Sequence, residues 1–103
     1  MTESELQKQC ESYLKSKGIY YIHTNNNAYK QKYRKGTDYT KGQPDLIIFL
    51  QNGLTIFVEL KVDNNVMSKE QVTFFAEMES IGFKFYLVYD YLEFWRIIKL
   101  YKN

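Results

Sequence analysis

Two apolar runs dominate the middle of the chain, Leu46-Ile47-Ile48-Phe49-Leu50 and Leu54-Thr55-Ile56-Phe57-Val58, with only Gln51-Asn52-Gly53 between them. Such a pattern predicts a β-hairpin closed by a tight turn. Its charges sit in unexpected places. Asp45 precedes the first run, and Glu59 and Lys61 follow the second. Side chains alternate along a strand, so Glu59 and Lys61 share a face. Buried strands rarely carry an acid and a base on one face unless the charges are paired or hold a metal. The turn decides whether Asp45 joins them. A two-residue Asn52-Gly53 loop would pair Gln51 with Leu54 and set Asp45 opposite Leu60. A three-residue loop of Gln51, Asn52 and Gly53 pairs Leu50 with Leu54 and sets Asp45 opposite Glu59. The longer loop wants positive φ at its last position, beside a G1-type bulge, and Gly53 suits that position. The three-residue loop is therefore expected, with Asp45, Glu59 and Lys61 gathered on one face at one end of the hairpin.

Two carboxylates beside a lysine can bind Mg²⁺ or Mn²⁺, hard cations that prefer oxygen ligands and keep waters free for chemistry. Pro44-Asp45 followed by Glu59-Leu60-Lys61 resembles the PD-(D/E)xK motif of the restriction-endonuclease-like nucleases. The fuller string Gly42-Gln43-Pro44-Asp45-Leu46-Ile47, then Val58-Glu59-Leu60-Lys61, then Ser68 and Gln71, is similar to the VRR-Nuc family within that group. The similarity runs over nearly the whole chain.

Composition sets the outer bounds. A chain of 103 residues is expected to form one domain, residues 1–103, with room for one core. Its single cysteine, Cys10, excludes an internal disulfide and suits a reducing, intracellular (cytoplasmic) setting. No apolar run approaches the ~20 residues that span a bilayer, so no membrane partner is expected. The polar, acidic N-terminus does not read as a secretory signal. A net charge of +2 is too mild to imply nucleic-acid binding by itself, so the distribution of charge matters more.

Along the chain, residues 2–17 read as a helix capped by Thr2 or Ser4, with Leu6, Cys10, Tyr13 and Leu14 as its apolar stripe and Gly18 as its stop. VRR-Nuc and related resolvase-like nucleases carry an acid early in this helix that approaches the metal site. By that resemblance Glu3 is the candidate and Glu5 the reserve, although acids in a first turn also suit the helix dipole. Residues 19–24 have the β-branched and aromatic content of a strand. The only histidine, His23, reads as an ordinary strand-end residue, and a histidine-cluster metal site is excluded. Residues 25–43 form a long irregular stretch with five basic residues, one acid and three tyrosines. Basic side chains neutralise phosphates and tyrosines stack on unpaired bases, so Lys30, Lys32, Tyr33, Arg34, Lys35 and Lys41 are the expected DNA contacts.

After Lys61, Ser68 and Gln71 fit a capping box at the start of another helix. The resemblance adds that Gln71 lies near the metal site, where it orients water or a phosphate. The Val72, Phe75 and Met78 stripe is expected to pack in the core, with Gly82 as C-cap. Residues 83–89 read as a strand beside the hairpin, parallel to its second strand after a right-handed crossover. Asp90 caps a last helix whose Leu92, Trp95 and Ile98, with Tyr91, are expected to cover the sheet.

The expected fold is α/β in the order α-β-β-β-α-β-α, and the resemblance implies a restriction-endonuclease-like core. It also implies metal-dependent phosphodiester hydrolysis, with no organic cofactor. Asp45, Glu59 and the Leu60 carbonyl would hold Mg²⁺ or Mn²⁺, Lys61 would position water or offset charge, and Glu3 and Gln71 would assist. Stand-alone domains of this kind resemble homodimeric endonucleases acting on branched DNA such as four-way (Holliday) junctions. The alternatives are a DNA-binding module with a degenerate site, a protein-interaction module built on the aromatics, and a nuclease of flap, duplex or sequence specificity.

Overall fold

The computed structural model describes residues 1–24 and 42–101. They form, in order, α1 (Glu3–Ser16), β1 (Tyr20–His23), β2 (Leu46–Phe49), a 3₁₀ turn (Gln51–Gly53), β3 (Thr55–Leu60), α2 (Lys69–Ser80), β4 (Lys84–Val88) and α3 (Tyr91–Tyr101). The element order is the expected one. The four strands make one mixed sheet in the order β1-β2-β3-β4, antiparallel between β1, β2 and β3 and parallel between β3 and β4.

The hairpin takes the three-residue loop. Leu46 pairs with Val58 and Phe49 with Thr55, and the Leu50 N–H donates to the Leu54 carbonyl over 2.7 Å. Continuing that register by one residue sets Asp45 across from Glu59. Gly53 has φ +74°, as the loop requires, and Asn52 enters the left-handed region as well at φ +63°. Asparagine tolerates that conformation better than other residues with a Cβ.

One face of the sheet carries the core. Leu6, Cys10 and Leu14 of α1 meet Leu46 and Ile48 of β2, Ile56, Val58 and Leu60 of β3, Val88 of β4, and Phe94 and Ile98 of α3. Each such apolar side chain withdrawn from water contributes about 1.5–3 kcal/mol. The α1 stripe is therefore the one expected from its spacing. Of the residues expected to cover the sheet from α3, Ile98 and Tyr91 do so and Leu92 and Trp95 do not. Phe94 and Ile98 are buried, whereas Leu92 is 52% and Trp95 37% exposed, so the covering face is Tyr91, Phe94, Ile98 and Tyr101.

The stripe assigned to α2 also needs correction, because no residue of this helix is fully buried and Val72 faces solvent. Its contacts to the second sheet face run through rings. Phe75 lies 4.3 Å from Phe85 between centroids, and Phe74 lies 5.9 Å from Phe57, which also stacks on Phe83 at 5.1 Å. The side turned to the sheet is half-buried Gln71, Phe74, Phe75 and Met78, so Phe75 and Met78 lie on the expected stripe and Val72 does not.

Candidate active site

Glu59 is the one buried charged residue among the described residues, 2% exposed on β3. It shares the sheet's second face with Phe57, while Ile56, Val58 and Leu60 point into the core. Taking a carboxylate out of water costs several kcal/mol unless partners restore its solvation. Two partners are present, and both engage the same oxygen. The Gln71 side-chain N–H donates to Glu59 Oε2 over 2.8 Å, and Lys61 Nζ lies 3.5 Å from that atom. Glu59 Oε1 is buried with no hydrogen-bond partner.

Asp45 closes the other side. Its Oδ2 accepts from the Leu60 N–H over 2.8 Å, which pins the carboxyl to the end of β3. Burial and the nearby negative charge of Glu3 push its pKa up, against the Leu60 N–H and Lys61, which pull it down. Glu59 is pushed up to about 8, first by burial and then by the charge of Asp45, with Lys61 opposing. The two carboxyls lie close enough to hydrogen-bond when one of them is protonated. Two ionised carboxylates that close are accepting groups with no donor between them. A proton relieves that conflict, and so would a cation.

The backbone leading into Asp45 is gripped from β1. The Thr24 N–H donates to the Asp45 carbonyl over 3.0 Å, and the Thr24 hydroxyl donates to the Pro44 carbonyl. No residue spacing announced Thr24, because its partners lie some twenty positions away. The capping box at α2 forms as expected, and it leaves one half of Gln71 for the site. Gln71 Oε1 accepts the Ser68 N–H over 2.8 Å while its amide N–H groups face Glu59. At α1, Thr2 is the cap, and the Glu5 carboxylate is spent on the Thr2 N–H over 2.8 Å. Glu3 is left free of that cap, half-buried, with its charge acting on Asp45.

His23 lies 3.7 Å from Glu11 Oε2. Glu11 also accepts from the hydroxyl of Tyr21 over 2.8 Å and the amide of Gln7 over 3.0 Å. His23 thus belongs to a network with α1 on the core side of the sheet, whereas the carboxyl pair lies on the other face. The expected DNA contacts Lys30, Lys32, Tyr33, Arg34, Lys35 and Lys41 lie outside the described residues.

The donors fit a hard divalent cation. Carboxylate oxygens from Asp45 and Glu59, one of them unsatisfied and buried, are the oxygen ligands Mg²⁺ or Mn²⁺ take. No group of three or more acids, histidines or cysteines able to hold a metal comes together among the described residues. Backbone carbonyl and water would therefore have to complete the shell. No helix among the described residues is long and apolar enough to cross a membrane.

No curated protein matches the chain. A solved structure described as a VRR-NUC domain superposes with a TM-score of 0.75 at 20% sequence identity, covering 99% of this chain and 100% of the other. At that identity the likeness speaks for the fold, a four-stranded mixed sheet flanked by helices, consistent with the restriction-endonuclease-like architecture. The family model of the VRR-NUC domain matches residues 1–89, from α1 to the end of β4, and so spans every residue of the carboxyl site. By fold and by family match, the chain belongs to the VRR-NUC domain family and is a nuclease-type domain.

Proposed function

We propose that this chain is a metal-dependent endodeoxyribonuclease that hydrolyses phosphodiester bonds in branched DNA and acts as a homodimer. The observation that carries the reading is the buried Glu59 carboxylate, with one oxygen unsatisfied and the Asp45 carboxyl beside it. Asp45, Glu59 and the Leu60 carbonyl are the groups that would hold Mg²⁺ or Mn²⁺. A cation held there would polarise the scissile phosphate and lower the pKa of the attacking water.

The chain's own residues do the rest. Lys61, with its side chain only 14% exposed, places a fixed positive charge beside Glu59. There it offsets the negative charge that grows on the phosphate in the transition state. Gln71 fixes the orientation of Glu59 through Oε2, and Glu3 adds negative charge on the Asp45 side. The residues flanking the basic stretch 25–41 support DNA as the substrate. Thr24, the last described residue before that stretch, is bonded to Pro44 and Asp45 at the carboxyl site. For the homodimer, the support is an apolar strip on the β1 side of the sheet, where Tyr20 is 82%, Ile22 50% and Phe49 41% exposed. The branched substrate follows the resemblance to short VRR-Nuc endonucleases, and two sites related by a two-fold axis suit paired cuts at a junction.

The test is cleavage of a labelled four-way junction beside matched duplex, flap and single-stranded DNA, with Mg²⁺, with Mn²⁺ and with chelator. Asp45→Asn and Lys61→Ala are expected to retain the fold and lose cleavage by about 10²-fold or more. Paired, metal-dependent cuts confined to the junction support the whole reading. Equal cutting of all substrates would remove the branched-DNA part. Binding without cleavage in any metal would sink the nuclease and leave a DNA-binding module.

A further inference from the structure

Gly42 sits where the segment leading to Asp45 crosses the first turn of α2, with φ +82°. A Cβ built at this position would overlap the carbonyl oxygen of Glu70. It would also lie 2.6 Å from the Glu70 carbonyl carbon and 3.0 Å from the Gln71 nitrogen. These are backbone atoms, so no side-chain rotation relieves the overlap and the helix itself would have to move. The same turn carries Gln71, whose amide reaches Glu59 Oε2 over 2.8 Å. Beyond its own Ser68–Gln71 capping box, this end of α2 is held to the sheet by Gln71 on Glu59, since the helix has no fully buried residue and its ring contacts begin at Phe74.

We propose that Gly42 is a positioning residue. Its missing side chain lets the Gly42-Gln43-Pro44 strap bear directly on α2, which holds Gln71 on Glu59 and joins the Asp45 and Glu59 halves of the site into one unit. Thr24 grips the strap from the β1 side and α2 bounds it on the other, so the carboxyl pair is set from both flanks. The role in catalysis rests on the nuclease reading above. The contact itself does not.

A double-mutant cycle of Gly42→Ala and Gln71→Ala, read by metal-supported cleavage rate and by Mn²⁺ affinity in calorimetry, separates this role from a general loss of fold. Gly18→Ala is the control, because Gly18 also has positive φ, +67°, but no atom within 4 Å of an added Cβ. Gly18→Ala is expected to lower the thermal midpoint and leave rate and affinity unchanged. Each of Gly42→Ala and Gln71→Ala is expected to lose about tenfold or more in rate or affinity, the usual effect of losing a group that orients a ligand. The double variant should be no worse than about twofold below the singles, because both remove the same hydrogen bond. Additive losses, or a Gly42→Ala protein as active as Gly18→Ala, would overturn the proposal. Where Gly42→Ala does not fold, amide NMR of Gln71→Ala against the unsubstituted chain decides. A displaced Gly42 signal with Gly18 and Gly53 unmoved supports the contact, and an unmoved Gly42 signal refutes it. A chain that cleaves nothing would end the nuclease reading, while the NMR comparison would still decide on Gly42.

Discussion

Glu59 makes the stability of this chain depend on what sits between two carboxyls. Folding lifts its pKa from the ordinary 4.5 to about 8, and the pKa of Asp45 moves in the same direction. The folded state therefore binds a proton more tightly than the unfolded state. The sign follows from linkage: stability is fullest below the ordinary carboxylate range and is lost as pH rises from about 5 through about 8. In metal-free protein, the thermal midpoint is expected to fall between pH 5 and 9, by an amount corresponding to about a few kcal/mol. Glu59→Gln keeps the shape and removes the charge, so its midpoint should stay nearly flat over that range and exceed that of the unsubstituted chain at pH 9. Millimolar Mn²⁺ should restore the midpoint of the unsubstituted chain at pH 9 and leave Glu59→Gln unmoved, since only a ligand that binds the folded site stabilises it. Calorimetric scans at three pH values, with and without the ion, check all three outcomes.

The helices divide between scaffold and site. α1 and α3 bury their stripes in the core, whereas α2 lies on the second sheet face through rings and presents Gln71 from its first turn. The phase of α3 shows why helical spacing alone can mislead. Leu92 and Trp95 are apolar at a helical interval, yet so are Tyr91, Phe94 and Ile98, and an aromatic-rich helix offers two overlapping stripes. Packing against α1 selects the one whose side chains fill the space beside Tyr13, with Phe94 edge-on to Tyr13 at 6.5 Å. Phe94→Ala is expected to cost about 3–5 kcal/mol through the cavity it leaves. Trp95→Ala should cost about 1 kcal/mol or less, because Trp95 is partly exposed with Lys99 resting on its ring at 5.0 Å. Denaturant titration of both variants distinguishes the observed phase from the alternative.

At the scale of the molecule, charge is concentrated in sequence. Residues 25–43 hold five basic side chains against one acid, while the whole chain has a net charge of only +2, so the remainder is net acidic. DNA binding is therefore expected to rest on that stretch, which runs in sequence directly into Pro44 and Asp45. Affinity for DNA should therefore fall steeply with salt. Replacing Lys32, Arg34 and Lys35 with alanine is expected to reduce the slope of log Kobs against log salt by roughly 2 to 3, the counterions released by three phosphate contacts. Fluorescence anisotropy across a salt series measures it, and an unchanged slope would remove these residues from the interface.

What the sequence determined by itself was local or periodic. The turn at Gln51-Asn52-Gly53 and the alternation of β3 fixed the hairpin register, and the register alone brought Asp45 opposite Glu59. The capping box at α2 was readable because its partners lie three residues apart, whereas at α1 the choice between Thr2 and Ser4 was left to the structure, which caps with Thr2. Tertiary structure decided the matters that depend on which surfaces meet. It chose the stripe by which α3 packs and left α2 with no fully buried residue. It committed Glu5 to a cap and left Glu3 beside Asp45. It also brought Thr24 and the first turn of α2 against the strap before Asp45, contacts between residues some twenty or more positions apart. A spacing rule carries information only along one element, whereas burial of a carboxylate and the approach of two backbones are properties of several elements packed together.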